Sequence, residues 1–280
     1  MSSEQRFAGK SALVTGAASG IGRAVAERLA AEGVGLLVLV DLDAAALDAL
    51  ELPCAVERRA GSVADEGFWA GLELPALDLA VVNAGVAGAG PIAELSFAEW
   101  RRILSVNLDG AFLTLRAGLR AMREGGAIVA TASAAGLKAE AGVAAYGASK
   151  AALLHLVKVA AKEGAPRRIR VNAIAPAGVE TPVWDAVRMF ADRAAAIGRD
   201  AAFAELAALA TPLGRYAKAE EVAAQIAWLL SDEAALITGA TLVSDGGVYP
   251  LAACCRAGRQ LKVACRVACG SGSRLRGSTG

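Results

Sequence analysis

Short β-rich runs alternate with longer helical patterns through the first 250 residues, and that alternation restricts the fold more than any other feature. Ser11–Thr15 reads as a strand, followed by a glycine-rich turn and a helix from about Gly20 to Ala31. Val34–Asp41 is an apolar run without the polar alternation of a one-faced strand, so it is expected to be buried on both faces. A short helix near Ala44–Leu50 and a weak strand at Cys54–Arg59 follow. Then come a strand at Leu77–Val82, a long helix from Ser96 to about Met122, and a strand at Ala127–Thr131. A helix over Tyr146–Glu163, a strand at Ile169–Ile174, a helix over Lys218–Leu230 and a strand at Thr241–Ser244 complete the pattern. Strands separated by helices of this length form a parallel sheet covered on both faces. The expected class is α/β, a Rossmann-type doubly wound parallel sheet in three α/β/α layers, in a single domain.

Composition removes several chemistries. The chain is 55% hydrophobic and 20% charged, which supports a substantial core. His155 is its only histidine, which argues against a multi-histidine metal centre and against triads that need a histidine base. No metal site is expected. The formal net charge of +1 gives no global preference for nucleic acid or membrane. That balance is a sum of unlike parts, because residues 1–250 carry 23 basic against 28 acidic groups and residues 251–280 carry six basic and none acidic. Four of the five cysteines also lie after residue 250, leaving Cys54 alone in the body. A lone cysteine fits a reducing cytoplasmic compartment. Met1 to Lys10 holds no apolar core of signal-peptide length, and no apolar run reaches the ~18 residues of a membrane span.

The turn Val14-Thr15-Gly16-Ala17-Ala18-Ser19-Gly20-Ile21-Gly22 joins the first strand to the first helix. Gly16 permits the tight turn, and Gly20 and Gly22 let backbone approach a pyrophosphate at the helix N-terminus. The second strand ends at Asp41, 19 residues after Gly22. A carboxylate there can accept from both adenosine ribose hydroxyls and would repel a 2′-phosphate, which favours NAD(H). Asp41 could instead merely cap the following short helix.

Tyr146 and Lys150 stand at i and i+4 and share one helix face. A free phenol titrates near ~10; bringing it to neutrality needs about 4 kcal/mol of differential interaction, to which a nearby ammonium contributes. Ser133, 13 residues earlier, ends a strand where its hydroxyl could bond the oxygen that changes charge. Asn107 lies inside the long helix, where its amide could hold water at a kink.

With these residues in view, the sequence resembles the short-chain dehydrogenase/reductase family over essentially residues 8–249. Asp78-Leu79-Ala80-Val81-Val82-Asn83-Ala84-Gly85 matches the family's sheet-stabilising element. Asn107, Ser133, Tyr146 and Lys150 match its catalytic tetrad in order and spacing. Arg170–Pro176 with Val179-Glu180-Thr181-Pro182 resembles its nicotinamide-side loop, and Ile237-Thr238-Gly239 with Asp245-Gly246-Gly247 its closing element. The resemblance implies that Tyr146 is the general acid/base and that Lys150 binds the nicotinamide ribose and lowers the Tyr146 pKa. It implies that Ser133 positions the substrate oxygen and that Asn107 holds a water in a proton relay. Cofactor contacts are implied at Gly16, Ser19, Gly20, Ile21, Gly22, Asp41, Ser62, Val63, Asn83, Gly85, Tyr146, Lys150, Pro176, Val179 and Thr181. There are departures. Ser62 stands where the family has an Asp, Val82 replaces an Asn, Ala177 replaces a Gly, and the helix between Asp65 and Asp78 is short.

The segment Pro182–Thr211 interrupts the alternation and reads as a lid at about residues 182–211, or as a plain surface helix pair. Its pocket candidates are Trp184, Arg188, Met189, Phe190 and Arg193. Lys138, Glu140, Val143 and Ala135 are candidates for the pocket rim, and His155 falls off the catalytic face. The long helix and the Tyr146 helix are the family's dimerisation elements, so a homo-oligomer, dimer or tetramer, is implied. Residues 251–280 do not resemble the family and read as a basic, Cys-containing, disordered tail. The reading is a cytoplasmic NAD(H)-dependent oxidoreductase that interconverts a secondary alcohol and a ketone. The small-molecule substrate would be a hydroxy acid, polyol, sugar or cyclic alcohol. The alternatives are an NADH-dependent carbonyl reductase and a non-catalytic dinucleotide sensor.

Overall fold

Seven parallel strands form one sheet in the order β3-β2-β1-β4-β5-β6-β7 in the computed structural model, which describes residues 5–248. The strands are β1 (Ser11–Thr15), β2 (Leu36–Asp41), β3 (Ala55–Ala60), β4 (Leu77–Val82), β5 (Met122–Thr131), β6 (Arg170–Pro176) and β7 (Thr241–Ser244). The strand order reverses between β1 and β4, the switch point at which doubly wound sheets open a crevice at their carboxyl ends. The tail expected over residues 251–280 lies outside the described residues. No helix among the described residues is long and apolar enough to cross a membrane.

The continuous apolar runs follow from burial on both faces. On one side Val14, Leu37 and Leu39 pack against Val25 and Leu29 of α1 (Gly20–Ala31) and Ile226 and Leu230 of α9 (Ala219–Leu230). On the other, Leu13, Val38, Val40 and Ile128 meet Leu113 and Leu115 of α5 (Ala111–Ala121) and Leu153 and Val157 of α6 (Ala144–Gly164). The short elements α2 (Ala44–Asp48) and α3 (Glu66–Ala70) follow β2 and β3. Arg170 tightens one helix end, donating to the carbonyls of Leu229, Leu230 and Ser231 at 2.7–3.0 Å. These are carbonyls that a helix C-terminus leaves without intrahelical partners.

The expected long helix is divided. It runs as α4 (Phe97–Leu104), a π-helical turn over Ser105–Gly110 that contains Asn107, and then α5. Helix α5 stops at Ala121, and Met122 already pairs with Leu77 as the first residue of β5. The pairing then jumps to Leu79 opposite Ala127, so residues 123–126 bulge out. Gly125 takes φ +79° there, and a Cβ on Gly126 would meet the Met122 side chain at 2.4 Å. Strand β2 also starts later than expected, because Val34 makes an isolated antiparallel bridge with Ala8. The lid region forms a 3₁₀ turn (Pro182–Ala186) and two helices, α7 (Arg188–Ile197) and α8 (Arg199–Ala210).

At the amino edge of the sheet, Asp78 joins three strands. Its Oδ2 accepts from the Ser11 amide (2.8 Å), the Ser11 hydroxyl (3.1 Å) and Arg123 (2.7 Å). Burial acts to raise the Asp78 pKa, but the Ser11 amide, the Arg123 guanidinium and the Ser11 hydroxyl together hold it below the ordinary carboxylate value. A carboxyl depressed on folding contributes stability that is present above its unfolded pKa and is lost as pH falls through the folded one. Asp78→Asn is therefore expected to destabilise by about 1–2 kcal/mol at neutral pH. In thermal melts its gap from wild type should close as pH drops below ~4. A gap independent of pH would refute the ionic role.

Candidate active site

The elements expected to carry function gather at the carboxyl edge of the sheet. Gly16 leaves β1 with φ +66°. Gly22 lies so close beneath the turn that a Cβ there would be 1.9 Å from the Gly16 carbonyl oxygen and 2.7 Å from Asn83 Nδ2. Ser19 is the N-cap of α1 but makes no side-chain cap hydrogen bond. The first amides of α1, including that of Ile21, are thus left without a side-chain acceptor at the spot where an anion would sit. A glycine cradle of this shape, with donors facing out of a helix N-terminus, fits a dinucleotide pyrophosphate.

Asp41 ends β2 beside this turn. Its Oδ2 accepts from the Ala18 amide at 2.9 Å and its Oδ1 from the Asp43 amide at 3.2 Å. The alternative reading of Asp41 as a helix cap fails, because Asp43 caps α2 through the Ala46 amide at 2.9 Å. Ser62 and Val63 follow β3. The Ser62 hydroxyl accepts from the Ala64 amide at 3.2 Å. Val63 is buried, packed on Gly110, and its carbonyl accepts from Trp69 Nε1 at 2.8 Å. Both side chains therefore serve local packing first.

Past β4, Asn83 donates from Nδ2 to the carbonyls of Thr15 (3.1 Å) and Gly16 (3.4 Å). Gly85 faces two of the expected site residues, and a Cβ on it would lie 3.3 Å from Asn107 Oδ1 and 3.5 Å from Lys150 Nζ. Asn107 is buried, and protein groups bond both ends of its amide. Its Oδ1 accepts from the Val86 amide at 2.8 Å, and its Nδ2 donates to the Val86 carbonyl at 2.9 Å and the Ser149 hydroxyl at 3.3 Å. These bonds clamp the loop after β4 to α6.

Ser133, Tyr146 and Lys150 meet at the end of β5 and the first turns of α6. The Ser133 hydroxyl accepts from the Ala135 amide (3.2 Å) and donates to the Pro176 carbonyl (3.4 Å). Burial raises the Tyr146 pKa, and a hydrogen bond with Ser133 opposes the rise. Lys150 is buried; its Nζ donates to the Thr131 carbonyl at 2.8 Å and lies 5.8 Å from the Tyr146 ring centroid. Burial pushes the Lys150 pKa down to about 8. The expected lowering of the Tyr146 pKa by Lys150 is thus not found in the protein alone, where desolvation is the larger influence.

Val179 and Thr181 close the site from the β6 side. Both are buried, and Thr181 packs on the glycine turn, 3.3 Å from where a Gly20 Cβ would be. The Val179 carbonyl accepts from Trp184 Nε1 at 2.9 Å. The lid arginines singled out from sequence do not turn inward. Arg193 pairs with Glu205 at 2.6 Å, and Arg188, on an exposed face, pairs with Asp192 at 3.7 Å. Phe190 is fully buried and Met189 is exposed. Lys138 and Glu140 form an exposed pair at 3.9 Å. His155 is on the exposed side of α6. Arg199, which no motif marks, reaches the Thr181 carbonyl at 2.9 Å.

A family model described as Enoyl-(Acyl carrier protein) reductase matches residues 16–249. The chain is 38% identical over 259 residues to D-threitol dehydrogenase of Mycolicibacterium smegmatis, covering 86% of this chain and 94% of that protein. The chain belongs to the short-chain dehydrogenase/reductase family. It is also 36% identical over 255 residues to the 3-oxoacyl-(acyl-carrier-protein) reductase of Escherichia coli, covering 87% and 98% of the two chains. A solved short-chain dehydrogenase/reductase from Brucella melitensis, titled glucose/ribitol dehydrogenase, superposes with a TM-score of 0.76 at 34% identity, over 88% of this chain and 99% of that one. Members of this oxidoreductase family bind a nicotinamide dinucleotide.

The contact of Gly22 with the turn gives a direct test. Gly22→Ala must displace the Gly16 carbonyl, so it should weaken NADH binding by at least about tenfold and cost about 1–3 kcal/mol of stability. Fluorescence titration with NADH and thermal melts check both. Unchanged affinity would show that the cradle is not the cofactor site.

Proposed function

We propose that the protein is an NAD(H)-dependent oxidoreductase that interconverts a secondary alcohol and a ketone, with Tyr146 as general acid/base. The observation that carries the reading is the convergence of Ser133, Tyr146 and Lys150 beside a glycine cradle whose neighbouring strand ends in Asp41. The bound nicotinamide supplies a hydride acceptor or donor at its C4. Gly16, Ser19, Gly20, Ile21 and Gly22 would hold the pyrophosphate and Asp41 the adenosine ribose hydroxyls. Ser62 and Val63 would lie near the adenine, Asn83 and Gly85 along the cofactor, and Pro176, Val179 and Thr181 beside the carboxamide.

Ser133 fixes the substrate oxygen by hydrogen bonding, and Tyr146 takes its proton in oxidation or returns it in reduction. Lys150 would hold the nicotinamide ribose. Its charge, together with that of the oxidised cofactor, offsets the burial that otherwise keeps Tyr146 protonated. Asp41 supports NAD(H), because its carboxylate disfavours a 2′-phosphate at the β2 tip.

The substrate class is a polyhydroxy or cyclic secondary alcohol, in line with the similarities to D-threitol dehydrogenase and to a cyclohexanol dehydrogenase of an Acinetobacter species. The similarity to an acyl-carrier-protein reductase supports a second reading, a carbonyl reductase working mainly in the reductive direction. A dinucleotide sensor without turnover fits less well with an intact Asn107, Ser133, Tyr146 and Lys150 set. We place the protein in the cytoplasm, in keeping with a lone Cys54 in the body, and as a homo-oligomer. Phe97 and Phe112 are exposed on the helices expected to pair, which supports that assembly.

Tyr146→Phe should keep NADH binding and lose about a hundred- to ten-thousand-fold in turnover. Unchanged turnover in a screen of secondary alcohols would reject the assignment of the base. Asp41→Ala should narrow the preference for NAD over NADP by about tenfold or more. Equal discrimination by the variant and wild type would contradict the role given to Asp41.

A further inference from the structure

The short segment 178–181 crosses the glycine turn and is held from above by the lid region, called the cap below: the 3₁₀ turn Pro182–Ala186 with α7 and α8. Trp184 Nε1 donates to the Val179 carbonyl at 2.9 Å, and Arg199 Nη2 donates to the Thr181 carbonyl at 2.9 Å. Arg199 also pairs with Asp185 through Nη1. The Arg199 guanidinium lies over two rings of the cap core, 5.3 Å from the Phe190 centroid and 5.2 Å from that of Phe203. Trp184 stacks on Tyr216 with centroids 5.4 Å apart and planes 21° from parallel. Tyr216 in turn fills the space beside Gly178, where a Cβ would meet its ring at 2.2 Å. From the side, the Ala217 amide donates to the Gly178 carbonyl at 3.0 Å and the Glu180 amide to the Ala217 carbonyl at 2.9 Å.

These contacts differ in kind from an ordinary surface clasp. The Arg199–Asp185 pair is exposed and contributes little by itself. The two bonds to main-chain carbonyls instead fix the height and tilt of the peptide units that follow Val179 and Thr181, and rigid aromatic packing holds both donors. A guanidinium spread over two ring faces has little freedom to swing, so the Thr181 carbonyl is held at one position. On its other side, Thr181 rests against the turn at Gly20, at 3.3 Å from a built Cβ. A shift of the cap is therefore transmitted to the floor of the site through a single short segment.

We propose that Trp184 and Arg199 are positioning residues that set the nicotinamide end of the cofactor site from the cap, by fixing the peptides of Val179 and Thr181. The proposal rests on the reading that this segment holds the carboxamide. It makes affinity for the nicotinamide half of the cofactor, and not for the adenosine half, a property of the cap.

The test uses Trp184→Phe, which keeps an aromatic ring and removes the N–H, and Arg199→Met, which keeps an apolar stem and removes the donors. Binding of NADH and of ADP-ribose, which lacks the nicotinamide, is measured by calorimetry on the full chain, alongside thermal melts. Wild type should bind NADH more tightly than ADP-ribose. Each variant should lose about five- to tenfold in NADH affinity and stay within about twofold for ADP-ribose. Wild type binding both ligands equally would overturn the carboxamide reading itself. A wild-type preference retained in full by both variants, or an equal loss for both ligands, would overturn the positioning role alone.

Discussion

The Thr15 hydroxyl is the point at which the two halves of the sheet are fastened. It donates to the Val81 carbonyl at 3.3 Å and accepts from the amides of Asn83 (3.0 Å) and Ala84 (3.2 Å). Thr15 is fully buried, so each of these bonds replaces water that is absent. They lie where the strand order reverses, and they set the glycine turn against the loop after β4. From that loop the chain of contacts continues. Val86 is held by Asn107, Asn107 by Ser149, and the Ser149 hydroxyl donates to the Tyr146 carbonyl at 2.7 Å. The glycine turn and the helix carrying Tyr146 and Lys150 are one hydrogen-bonded unit.

That construction explains the electrostatic state of the pair. Bringing α6 against the end of β5 buries Lys150 and draws its ammonium to the Thr131 carbonyl, with its pKa pushed down to about 8. The same burial raises the Tyr146 pKa despite the Ser133 bond. Both shifts oppose charge, as desolvation does. In the proposed reaction the positive charge of an oxidised nicotinamide would favour the phenolate, and a reduced one would leave the phenol.

Much of this was legible in the sequence, because strands buried on both faces are written as unbroken apolar runs. The order of strands and helices and the glycine turn follow from local patterns. The boundary between α5 and β5 did not. Met122 looks helical by composition, and only pairing with Leu77 beyond a bulge at Gly125 and Gly126 makes it a strand residue. Asn107 was marked, but its contact with Val86, 21 positions away in the chain, depends on tertiary packing. Arg199 left no signal, since an arginine at the start of an alanine-rich helix usually faces solvent. Its partner is a backbone carbonyl, which has no signature in sequence. Arg188 and Arg193, more prominent in the segment, pair with acids on their own or the next helix.

The proposed reaction passes a hydride between a carbinol carbon and nicotinamide C4 on this scaffold. The most direct measurement incubates the protein with NAD⁺ and a panel of cyclic and polyhydroxy secondary alcohols deuterated at the carbinol carbon, and reads the NADH by NMR. The account predicts deuterium at C4, on one face only, together with the matching ketone. NADH binding without deuterium transfer from any member of the panel, or label distributed over both faces, would contradict it.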